Sequence, residues 1–519
     1  MSSPESLETT LPSASTFQVR EVGTVRSVRE LIVRVTGLPS CMNGQMIEFA
    51  NGALGMVMGF TEQEVQVLVF GGKGRIRAGD EVYNNGEEFR VPVGDAFIGR
   101  IVNSLCEPMD GRGPVVPTDH YPVFGEAPGV MERLPVEETL ETGTRILDAV
   151  IPIARGQRQL IIGDRMTGKT TIALDAILNQ QGKDTLCIYC CTGKAYSTLV
   201  KVVRLLEAKG AMAYTVVVSA PASTPTGEQY LSPYTACTLG EYFMKHGKHV
   251  LLVFDDLTKH AWVYRQLSLL LERAPGREAY PGDIFYIHSQ LVERAANLAP
   301  EFGGGSMTFL PICDILQGDV TGFVPSNLVS MTDGQIYLST ALFNKGIKPA
   351  IDFGLSVSRI GSKAQWAAMR EVSSRLRLEY VQYQELLQMT QLRTNLSSEA
   401  ALKLKRGEAI TALLVQDKYR PVTMEDQVLQ LYALRRGLLD ELSPDQIKRL
   451  KRELGTSVQK WAPHLMTELR QHKTLTPEMK RGLDEQIKRY MQELILEAVP
   501  FPSAPEGRMP QSGAAGSTL

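Results

Sequence analysis

The chain lacks the features that would make it a secreted, membrane-spanning or nucleic-acid-coating protein. Seven cysteines, at positions 41, 106, 187, 190, 191, 237 and 313, are an odd number with no framework spacing. That excludes a disulfide-stapled fold and fits a reducing cytoplasm. Cys187-Ile188-Tyr189-Cys190 has redox-motif spacing, but it lies in an apolar strand-like run, the setting of buried reduced thiols. Neither sign of charge dominates: 55 Lys and Arg against 57 Asp and Glu leave a net −2. The basic surplus of a sequence-independent nucleic-acid binder is missing. No apolar run approaches the ~20 residues that cross a bilayer; Val250-Leu251-Leu252-Val253-Phe254 is strand-sized. The first residues, Met1-Ser2-Ser3-Pro4-Glu5, have neither the basic nor the apolar region of a secretory signal. Membrane association is therefore expected only through partners.

What is present is ordinary in bulk and informative in pattern. With 43% apolar and 22% charged residues over 519 positions, the chain suits a globular protein of about three domains. Residues 1–18 are rich in Ser, Thr and Pro and read as a flexible segment. From 19 to 92 short β segments recur (23–25, 31–35, 45–49 and 65–70), and Asn85-Gly86 predicts a hairpin between 82–83 and 89–91. This predicts a small β-barrel. From 93 to 370 strands and helices alternate, with strands expected at 159–162, 186–191, 214–219, 249–254 and 284–288. That is the pattern of an α/β nucleotide-binding domain around a mainly parallel sheet. Beyond 365 glycine nearly vanishes: only Gly407, Gly437, Gly455 and Gly482 of the chain's 45 fall before residue 500. Thr423 with Asp426, Ser443-Pro444 and Thr476-Pro477 mark helix starts, so 371–499 is expected to be an α-helical domain. The stretch 500–519 reads as a disordered tail.

One segment carries explicit chemistry. Gly163-Asp164-Arg165-Met166-Thr167-Gly168-Lys169-Thr170 is a complete phosphate loop, entered from the strand-like Leu160-Ile161-Ile162 and followed by a helical run from Thr171. In that context backbone N–H groups close around phosphate oxygens, Lys169 reaches the outer phosphates and the Thr170 hydroxyl sits on Mg²⁺. Asp255, at the end of the apolar run 250–254, is the metal-side acid, acting through water. Hydrolysis also needs a group that takes a proton from the attacking water. The stretch beyond the second core strand, Cys190-Cys191-Thr192-Gly193-Lys194-Ala195-Tyr196, contains no carboxylate. Lys194 stands where one is needed.

Further segments stand out beside the phosphate loop. They are Gly156-Gln157-Arg158-Gln159-Leu160, Tyr264 to Leu271, Pro275 to Asp283, Gly303-Gly304-Gly305-Ser306, Thr332-Asp333-Gly334-Gln335-Ile336 and Ser356-Val357-Ser358-Arg359. Together with the phosphate loop they resemble the alpha subunits of F-type rotary ATP synthases, densely from about residue 20 to 440. The resemblance implies a barrel, a phosphate-loop domain and a helical domain. It also implies an alternating ring of three alpha and three beta subunits around a gamma shaft, with a peripheral stalk and a membrane ion-translocating sector. In that family the alpha site holds ATP or ADP with Mg²⁺ without turnover. Arg359 matches the arginine finger given to the neighbouring catalytic site, Phe343, Pro349 and Gln416 match residues near the adenine, and 275–282 looks like the collar around the shaft. Residence at the cytoplasmic face of a bacterial plasma membrane follows from the same likeness, as does coupling to H⁺ or Na⁺ transport.

The departures from the family are specific. Relatives usually carry Gln where this chain has Met166, Lys194 and Lys418, and Arg where it has Lys348. Residues 1–18, with Pro4 and Pro12, lack the amphipathic helix that docks the delta subunit of the peripheral stalk. This suggests an altered or absent delta contact, as in the sodium-pumping N-type branch. A self-sufficient hexameric ATPase, of secretion or RNA-translocating type, is the alternative reading; the missing carboxylate weighs against it.

Overall fold

The computed structural model describes residues 20–71, 74–390 and 397–496. The readings for 1–18 and 500–519, including the delta contact, lie outside the described residues. Six strands, β1 (Glu21–Arg29), β2 (Ile32–Thr36), β3 (Gln45–Phe49), β4 (Leu54–Phe60), β5 (Val65–Val69) and β6 (Glu81–Glu88), close into an antiparallel barrel in the order β1-β2-β5-β4-β3-β6. Period-2 alternation drives it: Val25, Val33, Val35, Ile47, Phe49, Val57, Val67 and Val82 share one buried interior. Closure leaves no free strand edge.

The expected Asn85-Gly86 hairpin is corrected. Both residues lie inside β6, and the next strand, β7 (Arg90–Val93), pairs elsewhere. Gly86 takes φ 72°, and the β3 register slips there, with Gln45 opposite Glu88 but Ile47 opposite Asn84. The left-handed glycine makes a bulge that bends the barrel rather than a turn that ends a strand.

The central domain holds the remaining strands: β8 (Ile101–Val102), β9 (Asp119–Pro122), β10 (Thr139–Leu140), β11 (Ile153–Ala154), β12 (Leu160–Asp164), β13 (Thr185–Thr192), β14 (Thr215–Ala220), β15 (His249–Asp255), β16 (Ala296–Asn297), β17 (Ser306–Ile315), β18 (Gly334–Leu338) and β19 (Val357–Ser358). β7 pairs β9 and β10 pairs β11. The main sheet runs β19-β18-β12-β17-β15-β13-β14-β8, with β16 added on β17. Its strands are parallel except for β16 and β19. Both faces are covered, as parallel sheets require. Ile161, Cys187 and Tyr189 face one core, and Ile162, Ile188 and Cys190 face the other. Cys187 and Cys190 therefore point to opposite faces, and all seven cysteines are free and buried.

The expected strand at 284–288 is helix instead, Ile284–Val292. Its buried positions, Ile284, His288, Leu291 and Val292, follow helical spacing that a five-residue window cannot display. β17, which lies between β12 and β15, carries Pro311 in its run, a residue that normally argues against a central strand.

The C-terminal helices run from Ala367–Ser373 to Pro477–Leu496. Thr423 accepts the Asp426 N–H, and Ser443 forms a reciprocal capping box with Gln446 ahead of Pro444. Ile410, Leu429, Leu454 and Leu483 join the same apolar core as Leu174 and Ile177 of the phosphate-loop domain. This helical packing holds Gln416 and Lys418 against the nucleotide-binding domain.

Candidate functional site

The phosphate loop leaves β12 and turns into the helix Lys169–Leu178. Gly168 makes the turn with φ 105°, a conformation that side-chain-bearing residues rarely adopt. The loop is braced from within. The Asp164 carboxylate accepts the Gly318 N–H at 2.9 Å and the Thr340 hydroxyl at 2.7 Å, and Thr167 donates to the Asp164 carbonyl at 2.8 Å. Lys169 Nζ donates to the carbonyls of Gly163 (2.9 Å) and Asp164 (2.5 Å) and pairs with Asp314 at 2.9 Å. Arg165 lies beside Asp314 and over the Trp262 ring, and Met166 stands exposed at the tip.

Beside the loop opens a cavity of about 340 Å³. Met166, Thr167, Gly168 and Thr171 form one wall, Phe343, Lys348 and Pro349 another, and Gln416, Asp417 and Lys418 close it from the helical domain. Residues far apart in sequence thus meet at one cleft: Phe343, Pro349 and Gln416 stand with the loop. Gly163, Asp164, Arg165, Lys169 and Thr170 do not line this cavity; they lie in the loop beside it. Two side chains are less free than the sequence implies. The Gln416 amide donates to the carbonyls of Gly143 and Arg420 and accepts from the Arg145 N–H. The Phe343 ring is covered by the Lys348 ammonium at 4.5 Å.

Thr144 and Asp175, which sequence reasoning missed, also line the cleft. Thr144 Oγ1 is buried with no hydrogen-bond partner among the described residues. No sequence signal marks it. Asp175, on the phosphate-loop helix, betrays itself only as a carboxylate among apolar neighbours.

Thr170 and Asp255, the expected metal-side pair, are in contact. The Thr170 hydroxyl donates to Asp255 Oδ2 at 2.9 Å, and the Tyr189 hydroxyl donates to the same oxygen at 2.7 Å. The Lys194 ammonium meets Asp255 Oδ1 and donates to Thr170 Oγ1 at 3.2 Å. Burial by itself pulls the Lys194 pKa down, but Asp255 and then Asp256 outweigh it and hold the group above the ordinary lysine value. Lys194 is therefore an ammonium at neutral pH and accepts no proton. Asp256, pushed up to about 7 by burial and then by Asp314, is itself buried and caps the helix Leu257–Leu270 by accepting the Lys259 N–H.

Arg359 is elsewhere. It follows β19, which runs antiparallel to β18, with Ser358 opposite Gly334. The phosphate loop begins at the other end of β18, where Gly163 pairs with Leu338. The four-residue offset is about 13 Å at the parallel-strand rise. Its backbone N–H donates to the Asp333 carbonyl at 2.8 Å, while its exposed side chain has no hydrogen bond or ion pair among the described residues. Arg133, Arg158 and Lys363 share its groove.

Family models match all three domains. The beta-barrel domain of the ATP synthase alpha/beta family covers residues 18–86, its nucleotide-binding domain 143–358, and the C-terminal domain of the alpha/beta chain 365–490. The chain belongs to the ATP synthase alpha/beta family. Within it, ATP synthase subunit alpha of Clostridium botulinum strain Langeland (type F) is 46% identical over 475 residues, 92% of this chain and 94% of the relative. The same subunit from C. botulinum strain Hall (type A) gives the same figures. The barrel, phosphate-loop domain and helical domain expected from the sequence are the family's layout.

Proposed function

We propose that this chain works as an alpha subunit of a rotary ATP synthase, holding ATP or ADP without turning it over and lending Arg359 to a neighbouring catalytic site. The placement of Lys194 carries the non-catalytic reading. Where a hydrolytic site needs a proton acceptor, this one has a charged ammonium. Gly163 to Thr171 bind the phosphates through the loop N–H groups, the helix N-terminus and Lys169. Phe343, Pro349 and Gln416 enclose the base and ribose end. Thr170 and, through water, Asp255 are the residues that would hold Mg²⁺, but the Lys194 ammonium already contacts both. When bound, Mg²⁺ neutralises charge on the outer phosphates.

Arg359, at the sheet edge away from its own phosphate loop, serves a second chain. A planar, permanently charged guanidinium with no side-chain partner among the described residues is suited to charge developing on a phosphoryl group across an interface. The ring of alternating alpha and beta subunits, the gamma shaft against the loop 275–282, exposed at 275–279, the peripheral stalk and the membrane sector follow from the family relationship. So does a peripheral place on the cytoplasmic face of a bacterial plasma membrane. Among the described residues no helix is long and apolar enough to cross a membrane. We take 19–92, 93–370 and 371–499 as the domain units.

The test compares ATPase activity of the chain alone, with beta subunits, and with beta subunits plus Arg359→Ala. Negligible activity alone, robust activity in the mixed ring, and a loss of about 10³–10⁵ in the variant ring are expected. Strong turnover by the isolated chain overturns the reading.

A further inference from the structure

The phosphate end of the cleft contains a cation that belongs to the protein. Lys194 Nζ contacts Thr170 Oγ1 and Asp255 Oδ1, the two groups by which a phosphate-loop site attaches its divalent metal. Asp255 is fully buried, and both its oxygens are engaged by protein donors from Thr170, Tyr189 and Lys194.

The ammonium is held in place by its backbone. Gly193 takes φ 65° and donates to the Ala220 carbonyl at 2.8 Å; the Ala222 N–H donates to the Lys194 carbonyl at 2.9 Å. A Cβ at position 193 would lie 2.9 Å from the Lys259 Cβ, so the kink that aims Lys194 admits only glycine. A divalent ion here would lean on one hydroxyl, the phosphates and water, in direct competition with the ammonium.

We propose that Lys194 is a built-in counter-cation for the nucleotide phosphates, standing where Mg²⁺ stands in other phosphate-loop sites, so that this subunit retains ATP with little dependence on Mg²⁺. The inference rests on reading 163–170 as a nucleotide site. A positive charge fixed by the fold costs little further ordering when the anion arrives, and it cannot be removed by a chelator. Lys169, paired with Asp314, and Lys194, paired with Asp255, give the outer phosphates two ammonium groups.

The experiment measures ATP affinity of the full-length chain by calorimetry, in EDTA and in excess Mg²⁺, for wild type, Lys194→Gln, Lys194→Arg and Lys169→Ala. Wild type and Lys194→Arg are expected to change by less than about threefold between the two conditions. Lys194→Gln is expected to weaken by about tenfold or more in EDTA and to recover with Mg²⁺. A wild type that itself loses about tenfold in EDTA overturns the inference and leaves the nucleotide site standing; this holds even if Lys194→Gln fails to fold. Equal metal dependence in wild type and Lys194→Gln overturns it too. If Lys169→Ala leaves ATP binding unchanged, or wild type binds none, the underlying site reading fails with it.

Discussion

Asp175 offers a direct test of how the cleft is built. It lies on the phosphate-loop helix, lines the cavity and is 6% exposed. Its carboxylate accepts the Tyr419 N–H at 2.7 Å. Burial pushes the carboxyl up to about 7, with the Tyr419 N–H and the more distant Lys209 offsetting only part. The folded pKa is raised above the unfolded one, so the protonated form belongs to the fold. Its contribution is complete below about pH 4 and is lost as pH climbs towards 7. A shift of about three units corresponds to about 4 kcal/mol, fully expressed only above pH 7. Asp175→Asn keeps an acceptor for Tyr419 and removes the charge. The variant should exceed wild type by about 4 kcal/mol near pH 8 and by about 1.5 kcal/mol near pH 5. Because a three-domain chain need not unfold in one step, the reading is the pH trend of the nucleotide-domain transition in thermal and urea melts. No gain near pH 8, or the same gain at both pH values, refutes the burial argument.

Two further perturbations probe other parts of the fold. Thr144→Val removes a hydroxyl that is buried and unpartnered. It should leave the melting temperature unchanged or raise it, by up to about 1 kcal/mol in stability; a fall in melting temperature refutes the assignment of an unmet hydroxyl. Arg294 is buried and forms a bidentate pair with Glu241 at 2.6 and 2.7 Å. Arg294→Met strands a buried carboxylate and should cost about 3–5 kcal/mol in urea unfolding, with most of it recovered in the double variant with Glu241→Leu.

The elements legible in the sequence were those whose signal is local. The phosphate loop, the barrel strands with period-2 alternation, β12 to β15 with their apolar runs, and the capped helices at Thr423 and Ser443 each carry their own evidence within a few residues. Asn85-Gly86 misled because the same left-handed glycine serves a hairpin turn or a bulge, and only the partner strand decides. Ile284 to His288 misled because β-branched and aromatic residues fill five positions of a helix whose period needs nine to appear. β17 stayed hidden because Pro311 interrupts its pattern; in the sheet Pro311 lies opposite Phe254 of β15, one residue before the register with β12 begins at Ile312. In the cleft, loop chemistry was readable but its closure was not. Thr144 and Asp417 arrive from segments with no motif. The commitment of the Gln416 amide to Gly143 and Arg420 depends on docking the helical domain. Lys194 was visible as a missing carboxylate; its contact with Thr170 and Asp255 was not.

The separation of the two functional ends yields the most discriminating prediction. The loop and the cleft sit at the C-terminal edge of a parallel sheet. The two-residue strand β19, running the other way along β18, returns the chain to the opposite edge and ends at Arg359. Retention of a nucleotide on this subunit and support of chemistry on its neighbour should therefore be separable by mutation. In the assembled ring, Lys169→Ala should abolish nucleotide retained on this subunit, measured after gel filtration, yet spare first-turnover hydrolysis in rapid-quench assays. Arg359→Ala should do the reverse, with full retention and first-turnover rates lower by about 10³ or more. If Arg359 instead served its own phosphate loop, its loss would weaken retention on this subunit, and the two variants would fail in the same assay.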